Sequence, residues 1–179
     1  MTLNTIDNRA LTNIAQKLGI PSKRLYVLIN FESSFNPQAI NKYSGAAGLI
    51  QFMPATARDM GFYSQYDLIN KYPTIKSQLE GPVYNYLLRY KPYVNAQSLF
   101  MAVFFPRART WPGFKAFPDY VKKGNPGINT PNDYIAKAYR RSGLTYLSPL
   151  LILLGVGTAI YFTTKKRGHD GKKKRSYSA

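Results

Sequence analysis

An uncharged run of residues, from 142 to 164, is the feature that most constrains how this chain of 179 residues can fold. Its central part, Leu144 to Phe162, is rich in Leu, Ile, Val and Gly, and a bilayer span needs roughly 20 mostly apolar residues. Tyr146 and Tyr161 lie near its two ends, where interfacial aromatic residues are found. Basic residues flank the run on both sides, namely Arg140, Arg141, Lys165, Lys166 and Arg167. The pattern predicts a single transmembrane helix at 142–164, and the alternative is a buried C-terminal core helix.

The predicted span divides the chain into three parts. Residues 1–141 have the length of one folded domain, residues 142–164 form the anchor, and the basic tail at 165–179 is polar enough that we expect disorder. The first eleven residues contain no apolar signal-peptide region, so the sequence predicts a soluble domain followed by one C-terminal anchor. Positive-inside topology explains most of the tail's charge, and contact with packaged DNA or anionic lipid headgroups is the alternative.

Glu32 is one of only two glutamates in the chain, and it continues an apolar helical stripe. A helix is predicted over 21–34, in which Leu25, Leu28, Ile29 and Glu32 fall at i, i+3, i+4 and i+7. A carboxylate facing an apolar core loses hydration, which raises its pKa and allows it to act as a general acid. The alternative is a glutamate at a helix end that turns out to solvent.

The segment from Glu32 to Ala57 carries two ordered motifs. It reads ESSFNPQA from residue 32 and SGAAGLIQFMPATA from residue 44. The Gly and Ala residues at 45–48 allow a ligand or another backbone to approach the main chain closely. Gln51 adds a hydrogen-bond donor and an acceptor next to them. From spacing alone, a solvated strand residue is an equally good interpretation of Gln51.

These motifs resemble the first two motifs of the soluble lytic transglycosylase (SLT) family, within the goose-lysozyme-like superfamily. The family pattern is a Glu-Ser pair, a Phe and a Pro shortly after, and then Gly-Ala-x-Gly-Leu-x-Gln-x-Met-Pro-x-Thr-Ala, and every one of these letters is present. The resemblance implies that Glu32 is the catalytic acid/base. It also implies that Ser33, Gly48 and Gln51 line the glycan cleft and that Met53 packs nearby.

The later part of the chain departs from the family pattern. Cellular members carry Ala-Tyr-Asn-x-Gly in a third motif, whereas residues 101–108 read MAVFFPRA and lack the Asn and the Gly. This aromatic-Pro variant resembles members encoded by phages. Farther on, the Asp-Tyr-Ile sequence at 133–135 resembles the last motif, whose tyrosine lies close to the catalytic glutamate. That position is Tyr134, and the alternative is a core tyrosine. The resemblance covers roughly residues 10–141, and its specific part is 32–61.

Composition excludes several kinds of site. The chain has no cysteine, and its only histidine, His169, lies in the tail. Thiol nucleophiles, disulfides, a Ser-His-Asp triad and a His-based metal site in the domain are therefore excluded. A mechanism that needs one carboxylate suits the remaining acidic residues best. The formal charge of +17 attracts polyanions such as peptidoglycan with its acidic polymers, lipopolysaccharide or DNA.

The predicted fold class is a mainly helical α+β, lysozyme-like domain followed by the single transmembrane helix. Leu11, Ile14, Ala15 and Leu18 form the stripe of a first helix that Gly19 ends. Further helices are predicted at 54–60, 76–90, 95–105 and 131–142. An irregular or short-strand segment is predicted at 39–53, and a Pro- and Gly-rich irregular loop at 106–131. Trp111 in that loop is a candidate for stacking on a sugar ring or for covering the core.

The resemblance implies a peptidoglycan lytic transglycosylase that cleaves the β-1,4 bond between N-acetylmuramic acid and N-acetylglucosamine with one Glu. The products would be 1,6-anhydromuropeptides, and no cofactor or metal would be needed. The anchor and the aromatic-Pro variant indicate a virion protein in the internal membrane of a phage, where it would open the host wall and contact capsid or other virion membrane proteins. The alternatives are a hydrolytic muramidase of the same fold and a non-catalytic virion membrane protein that binds glycan or capsid.

Overall fold

Polar caps and left-handed residues set the ends of the helices in the computed structural model, which describes residues 3–146. The first helix, α1, spans Thr5–Leu18. The Asn4 side chain accepts a hydrogen bond from the backbone N–H of Asp7 at 2.8 Å, and Gly19 follows the helix at φ 71°, a left-handed value that glycine adopts without strain. All four residues of the predicted stripe are buried, which confirms the predicted first helix.

The second helix, α2, spans Ser22–Ser33. Its residues Leu25, Leu28 and Ile29 are fully buried, as the stripe predicts, and Val27 on another side of the helix is fully buried as well. The helix packs against α1 on one side and against the last helix of the domain on another. Ser34 ends it at φ 53°. Glu32 is therefore in the last turn of a helix that is packed against two others.

The remaining helices agree with most of the predicted ones. They are α3 (Pro54–Asp59), α4 (Gln65–Lys71), α5 (Ile75–Gln78), α6 (Tyr84–Leu88), α7 (Ala96–Phe104), α8 (Asp119–Gly124) and α9 (Pro131–Arg141). Helix α4 was not predicted, although Ser64 caps it by accepting a hydrogen bond from the N–H of Asp67. Inside the predicted irregular loop, a 3₁₀ turn at Pro106–Ala108 and helix α8 are present.

The predicted helix at 76–90 is broken in the middle. A π-helical turn at Leu79–Val83 separates α5 from α6, and Gly81 within it has non-helical angles of φ −105° and ψ −106°. Pro82 has no N–H to donate, so it interrupts the ladder of helical hydrogen bonds. A side chain on Gly81 would lie 2.5 Å from the Tyr72 ring, which explains why glycine occupies the position.

The segment at 39–53 is irregular, as predicted. Two isolated bridges, Ile40 with Ala47 and Ala47 with Phe52, hold it together. The N–H of Phe52 donates to the carbonyl of Ala47 at 2.7 Å, and the N–H of Ala47 donates back at 3.0 Å. Residues 3–146 are thus mainly helical, and these two bridges are the β structure that the structure describes in them.

The domain continues a few residues beyond α9. The Asn30 side chain donates a hydrogen bond to Ser142 Oγ at 3.0 Å, and Leu144 and Tyr146 pack against the core. The compact unit accordingly ends at Tyr146, so the first five residues of the predicted 142–164 span belong to it. Residues 147–164 and the predicted tail lie outside the described residues. Within residues 3–146, no helix is both long and apolar enough to cross a bilayer.

Candidate active site

Glu32 and Tyr134 are brought into direct contact by α2 and α9. The Tyr134 hydroxyl donates a hydrogen bond to Glu32 Oε1 across 102 positions of sequence. Glu32 remains partly accessible, whereas Tyr134 is only 1% exposed. The structure therefore joins two of the predicted site residues, a partly accessible carboxyl and a buried phenol that holds one of its oxygens.

The position of Tyr134 is fixed by the cap of α9 and by aromatic packing. The Thr130 side chain accepts a hydrogen bond from the N–H of Asp133, and Asp133 reciprocates in a capping box. The Tyr134 ring stacks on Phe104 with a centroid distance of 4.3 Å and meets the edge of Phe31 at 5.0 Å. These contacts leave the ring little freedom, so its hydroxyl is held towards Glu32.

Burial dominates the electrostatics of the pair. It raises the pKa of Glu32 from 4.5 to about 7, although the hydrogen bond from Tyr134 and the positive charge of Arg141 both lower it. Burial and the neighbouring Glu32 also raise the pKa of Tyr134 well above its ordinary value, so its phenol keeps its proton and remains a donor. A carboxyl with a pKa near 7 can both give and take a proton at neutral pH.

An open pocket of about 320 Å³ lies over the carboxyl of Glu32. It is lined by Phe31, Glu32, Phe104, Gly124, Asn125, Pro126, Ile128, Tyr134, Lys137 and Arg141. Glu32 is the one acidic side chain in this lining, and Lys137 and Arg141 are the basic ones. No group of three or more His, Cys, Asp or Glu side chains that could hold a metal ion is found in residues 3–146.

Ser33 connects the end of α2 to the small-residue segment. Its hydroxyl donates to the carbonyl of Leu49 at 2.9 Å and approaches the carbonyl of Ile29 at 3.3 Å. Ser33 does not line the pocket over Glu32. Its contacts instead hold the Gly-Ala segment against the helix that carries Glu32.

Gly48 is buried and packs against Gln78. Its backbone has φ 82°, and a Cβ there would lie 2.8 Å from Gln78 Oε1 and 3.2 Å from the Ile69 side chain. The same Gln78 oxygen accepts a hydrogen bond from the N–H of Leu49 at 2.9 Å. Glycine is thus required here by the close approach of Gln78 as well as by its left-handed backbone.

Gln51 and Met53 follow the Gly-Ala segment in sequence, and neither lines the pocket over Glu32. The Gln51 side-chain amide donates to the carbonyl of Gly48 at 3.0 Å and to that of Ala39 at 3.4 Å. Gln51 also has a left-handed backbone, with φ 53°. Met53 is 47% exposed and immediately precedes α3, so an apolar side chain is presented to solvent beside the motif.

Four residues that shape the site are not predicted by the sequence motifs. Phe104, Lys137 and Arg141 line the pocket, and Gln78, which is fully buried, holds the motif loop. The signal for Lys137 and Arg141 was present, because Tyr134, Lys137 and Arg141 fall at i, i+3 and i+7 on one helix. In the sequence alone, Arg141 is explained as a flank of the predicted membrane span. The sequence around Gln78 contains no motif or spacing that would predict a buried side-chain amide.

Trp111 lies away from Glu32, in the wall of a second pocket of about 460 Å³ formed with residues of α7 and of the preceding loop. Its ring meets Phe105 at a centroid distance of 5.7 Å, and the ammonium of Lys115 lies 4.3 Å from its ring centre. Its backbone carbonyl accepts a hydrogen bond from Gln97. Trp111 therefore belongs to the aromatic cluster beneath the loop and is only partly exposed.

The first half of the domain matches a known protein family. Residues 9–79 match the family model of the transglycosylase SLT domain. The match extends from α1 to the end of α5 and contains Glu32, both motifs and Gln78, and it supports the resemblance to the SLT, lysozyme-like family and a glycan-cleaving enzyme. Tyr134, Lys137 and Arg141 lie beyond the matched residues. No solved structure matches the chain.

Proposed function

We propose that the protein is a peptidoglycan lytic transglycosylase that cleaves the β-1,4 bond between N-acetylmuramic acid and N-acetylglucosamine. The observation that carries the proposal is the Glu32 carboxyl, whose pKa burial raises to about 7 and which Tyr134 holds in an open pocket. The SLT match over residues 9–79 supports peptidoglycan as the substrate.

In the first step, Glu32 donates its proton to the glycosidic oxygen. Tyr134 occupies Oε1, so Oε2 is the oxygen that would carry and deliver the proton. As the bond to the leaving N-acetylglucosamine oxygen breaks, positive charge develops at C1 of the muramic acid, and the newly formed Glu32 carboxylate stabilises it. The Tyr134 hydrogen bond stabilises the carboxylate in turn, because a donor to a charged acceptor strengthens as the charge forms.

In the second step, the Glu32 carboxylate takes the proton from the C6 hydroxyl of the muramic acid. The C6 oxygen then bonds to C1 and closes a 1,6-anhydro ring, which returns the proton to Glu32 and consumes no water. One carboxyl suffices because the nucleophile comes from the substrate. Asp133 is the acidic residue next to Tyr134 on α9. Its Oδ2 accepts hydrogen bonds from the N–H and the hydroxyl of Thr130 in the helix cap, so it is not available as a second catalytic carboxylate.

The motif residues would bind the glycan beside the reacting bond. The Gln51 amide N–H groups are directed to loop carbonyls, which leaves its oxygen as an acceptor for a sugar hydroxyl. The exposed Met53 side chain offers an apolar surface to a sugar face. Ser33 and Gly48 would shape the cleft by fixing the backbone of the loop, through the contacts with Leu49 and Gln78.

We further propose that residues 147–164 anchor the domain in the internal membrane of a phage particle, where the enzyme would open the host wall during infection. The proposal rests on the uncharged apolar sequence of this stretch and on the basic residues that follow it. Eighteen residues in a helix extend about 27 Å, which is close to the roughly 30 Å of a bilayer core. Capsid or other virion membrane proteins are the expected neighbours, and packaged DNA or anionic lipid the expected ligands of the tail.

Mass analysis of the soluble products from purified peptidoglycan tests the reaction. We expect 1,6-anhydromuropeptides, each one water lighter than its hydrolysed counterpart. Muramic acid with a free reducing end as the main product would instead identify a muramidase. A Glu32→Gln variant that folds and binds wall should release no product, and release at the wild-type rate would overturn the assignment of Glu32. Absence of product from the wild-type protein on walls that it binds would favour a non-catalytic glycan-binding role.

A further inference from the structure

Two basic side chains flank Glu32 on the face of α9 that carries Tyr134. Tyr134, Lys137 and Arg141 are spaced at i, i+3 and i+7, so one helical face presents all three, and all three line the pocket. Lys137 and Arg141 are four residues apart, which on a helix places their Cβ atoms roughly 5–6 Å from each other. A single small group in the pocket could therefore contact both.

Neither cation has a carboxylate partner in the part of the chain that the structure describes. The ion pairs within residues 3–146 are Lys76 with Glu80 and Lys122 with Asp119. Lys137 makes a long contact of 3.4 Å to the carbonyl of Pro126, and Arg141 donates to the hydroxyl of Ser34 at 3.2 Å. Both acceptors are neutral, and an ammonium with three N–H groups and a guanidinium with five retain donors for a ligand.

The charge of the pocket favours an anion. Its lining contains two cations and one acid, and the acid is the group that must carry a proton for the first step of the reaction. No other residue of the lining is acidic, so none brings a second negative charge close to Glu32. Arg141 is close enough to Glu32 for its charge to lower the pKa of that carboxyl, so an anion bound to Arg141 would lie beside the reacting groups.

We propose that Lys137 and Arg141 form a subsite for a carboxylate carried by the muramic acid unit of the substrate. This inference rests on the proposed function and narrows its substrate to wall glycan that bears carboxylates. In such a glycan the carboxylates belong to the stem peptide, or, on muramic acid units without a stem peptide, to the lactyl group. The pair would place the muramic acid, rather than the N-acetylglucosamine, on the side of the pocket where Glu32 protonates the bond.

The test compares carboxylate-bearing wall with the same wall after its carboxyl groups have been converted to neutral amides. The full-length chain is used as wild type and as Lys137→Gln. On untreated wall we expect Lys137→Gln to lower kcat/KM and binding by about two- to fivefold, the range for an exposed charged contact. On amidated wall the two proteins should be equal. Because both comparisons are made within one substrate, other effects of amidation cancel.

Two further variants serve as controls. Lys23→Gln removes an exposed charge at the opposite end of α2 from Glu32, and it should behave as wild type on both walls. Lys137→Arg keeps the charge and should keep the preference for untreated wall. If Lys23→Gln and Lys137→Gln lose binding and kcat/KM equally, the effect comes from general attraction between a basic protein and an acidic wall, and the subsite is overturned. A loss by Lys137→Gln that persists on amidated wall, or no loss on either wall, would overturn the subsite.

Wall from which an amidase has removed the stem peptides distinguishes the two sources of the carboxylate. If Lys137→Gln is weaker than wild type on that wall, the pair also accepts the lactyl carboxylate that the amidase frees, and if the difference disappears, the pair is specific for a carboxylate of the stem peptide. Binding is measured by co-sedimentation, which does not depend on cleavage. A wild-type protein that sediments in a Lys137- and carboxylate-dependent way but releases no product would retain the subsite and overturn the proposed reaction.

Discussion

Glu32 combines a chemical advantage with a cost to stability. Its carboxyl lies in the last turn of a helix that packs against α1 and α9, and burial raises its pKa to about 7. The folded state therefore holds the proton more tightly than the unfolded state. As the pH rises from the unfolded value of 4.5 through about 7, the unfolded state releases its proton first and stability falls. The full penalty is present above pH 7.

Glu32→Gln should remove this penalty. We expect the variant to be more stable than wild type by about 1–3 kcal/mol above neutral pH, and equal to it near pH 4, where both states of wild type are protonated. The amide can still accept the hydrogen bond from Tyr134. Denaturant unfolding of residues 1–146 at the two pH values measures the difference. Equal stability at both pH values would show that Glu32 is not desolvated.

Arg141 should set where the activity declines in alkaline solution. If Glu32 must enter the reaction protonated, the rate falls as the pH rises through its pKa of about 7. The charge of Arg141 lowers that pKa, so Arg141→Gln should move the alkaline limb of the pH–rate profile upward. Arg140→Gln, on an exposed position outside the pocket lining, should leave the limb in place. A downward shift for Arg141→Gln would contradict the assignment of the limb to Glu32.

At this scale, the sequence predicted Glu32 and its burial but not its surroundings. The apolar stripe of Leu25, Leu28 and Ile29 could be predicted because helical periodicity depends on residues close in sequence. The contact with Tyr134 joins positions 102 residues apart, and no spacing rule reaches that far, so it came from the resemblance to a family motif. Phe104 lies in the part of the chain that departs from the family's third motif. Its stacking on Tyr134 is therefore visible only in the structure.

At the scale of elements, one side chain joins the irregular motif segment to the helices. The Gln78 amide donates to the carbonyls of Pro37 at 2.6 Å and Tyr72 at 2.9 Å, and its oxygen accepts from the N–H of Leu49 at 2.9 Å. Three separate segments are thus tied at a fully buried position. Since backbone groups that are buried without partners are costly, this amide replaces the strand ladder that the segment lacks.

Gln78→Leu should destabilise the domain by about 2–5 kcal/mol, because it leaves three backbone groups without partners while keeping a similar volume. Denaturant unfolding of residues 1–146 measures the loss. Gln16→Leu on the exposed face of α1 is the matched control and should change stability by less than about 0.5 kcal/mol. A loss for Gln78→Leu no larger than that of the control would show that the loop is held by other contacts.

The elements themselves were predictable where they depend on local signals. The caps of α1 and the irregular course of 39–53 follow from Gly, Pro and polar residues at fixed offsets. Helix α4 was missed because its seven residues make only about two turns, too few for a repeated apolar stripe. The break between α5 and α6 was not predicted because the Tyr72 ring, which excludes a side chain at Gly81, comes from outside the helix.

At the scale of the whole molecule, the compact unit extends to Tyr146, five residues into the predicted 142–164 span. The apolar character is continuous from Leu144 onward, so a hydropathy pattern assigns Ser142 to Tyr146 to the span. In the structure, Tyr146 lies against Tyr139 with a ring distance of 5.1 Å, and Ser142 accepts a hydrogen bond from Asn30. Burial against the domain and burial in a bilayer leave the same signature in sequence.

A chain ending at Tyr146 should therefore be more stable than one ending at Arg141, by about 1–3 kcal/mol for the burial of two apolar side chains and one hydrogen bond. Denaturant midpoints of the two chains provide the measurement. Both should stay in the aqueous phase when mixed with lipid vesicles, whereas the full chain should partition with lipid. Equal midpoints would show that residues 142–146 contribute nothing to the domain.

The distribution of charge predicts how the chain is oriented in a membrane. Arg140 and Arg141 precede the predicted anchor, and seven Lys or Arg residues follow it in the tail at 165–179. Positive residues stay on the cytoplasmic side, so in a cell the tail is expected inside and the domain outside. In a membrane-containing particle the same orientation places the tail towards packaged DNA, where its charge can neutralise phosphates.

Protease added to intact membranes, or to particles stripped of their capsid, tests this orientation. We expect the domain to be digested or released while the tail is protected, because the bilayer separates them. Antibodies or tags against each end report which fragment survives, and detergent-opened samples serve as the control in which both ends are cut. Early cleavage of the tail with an intact domain would reverse the orientation, and the catalytic domain would then need another route to the wall.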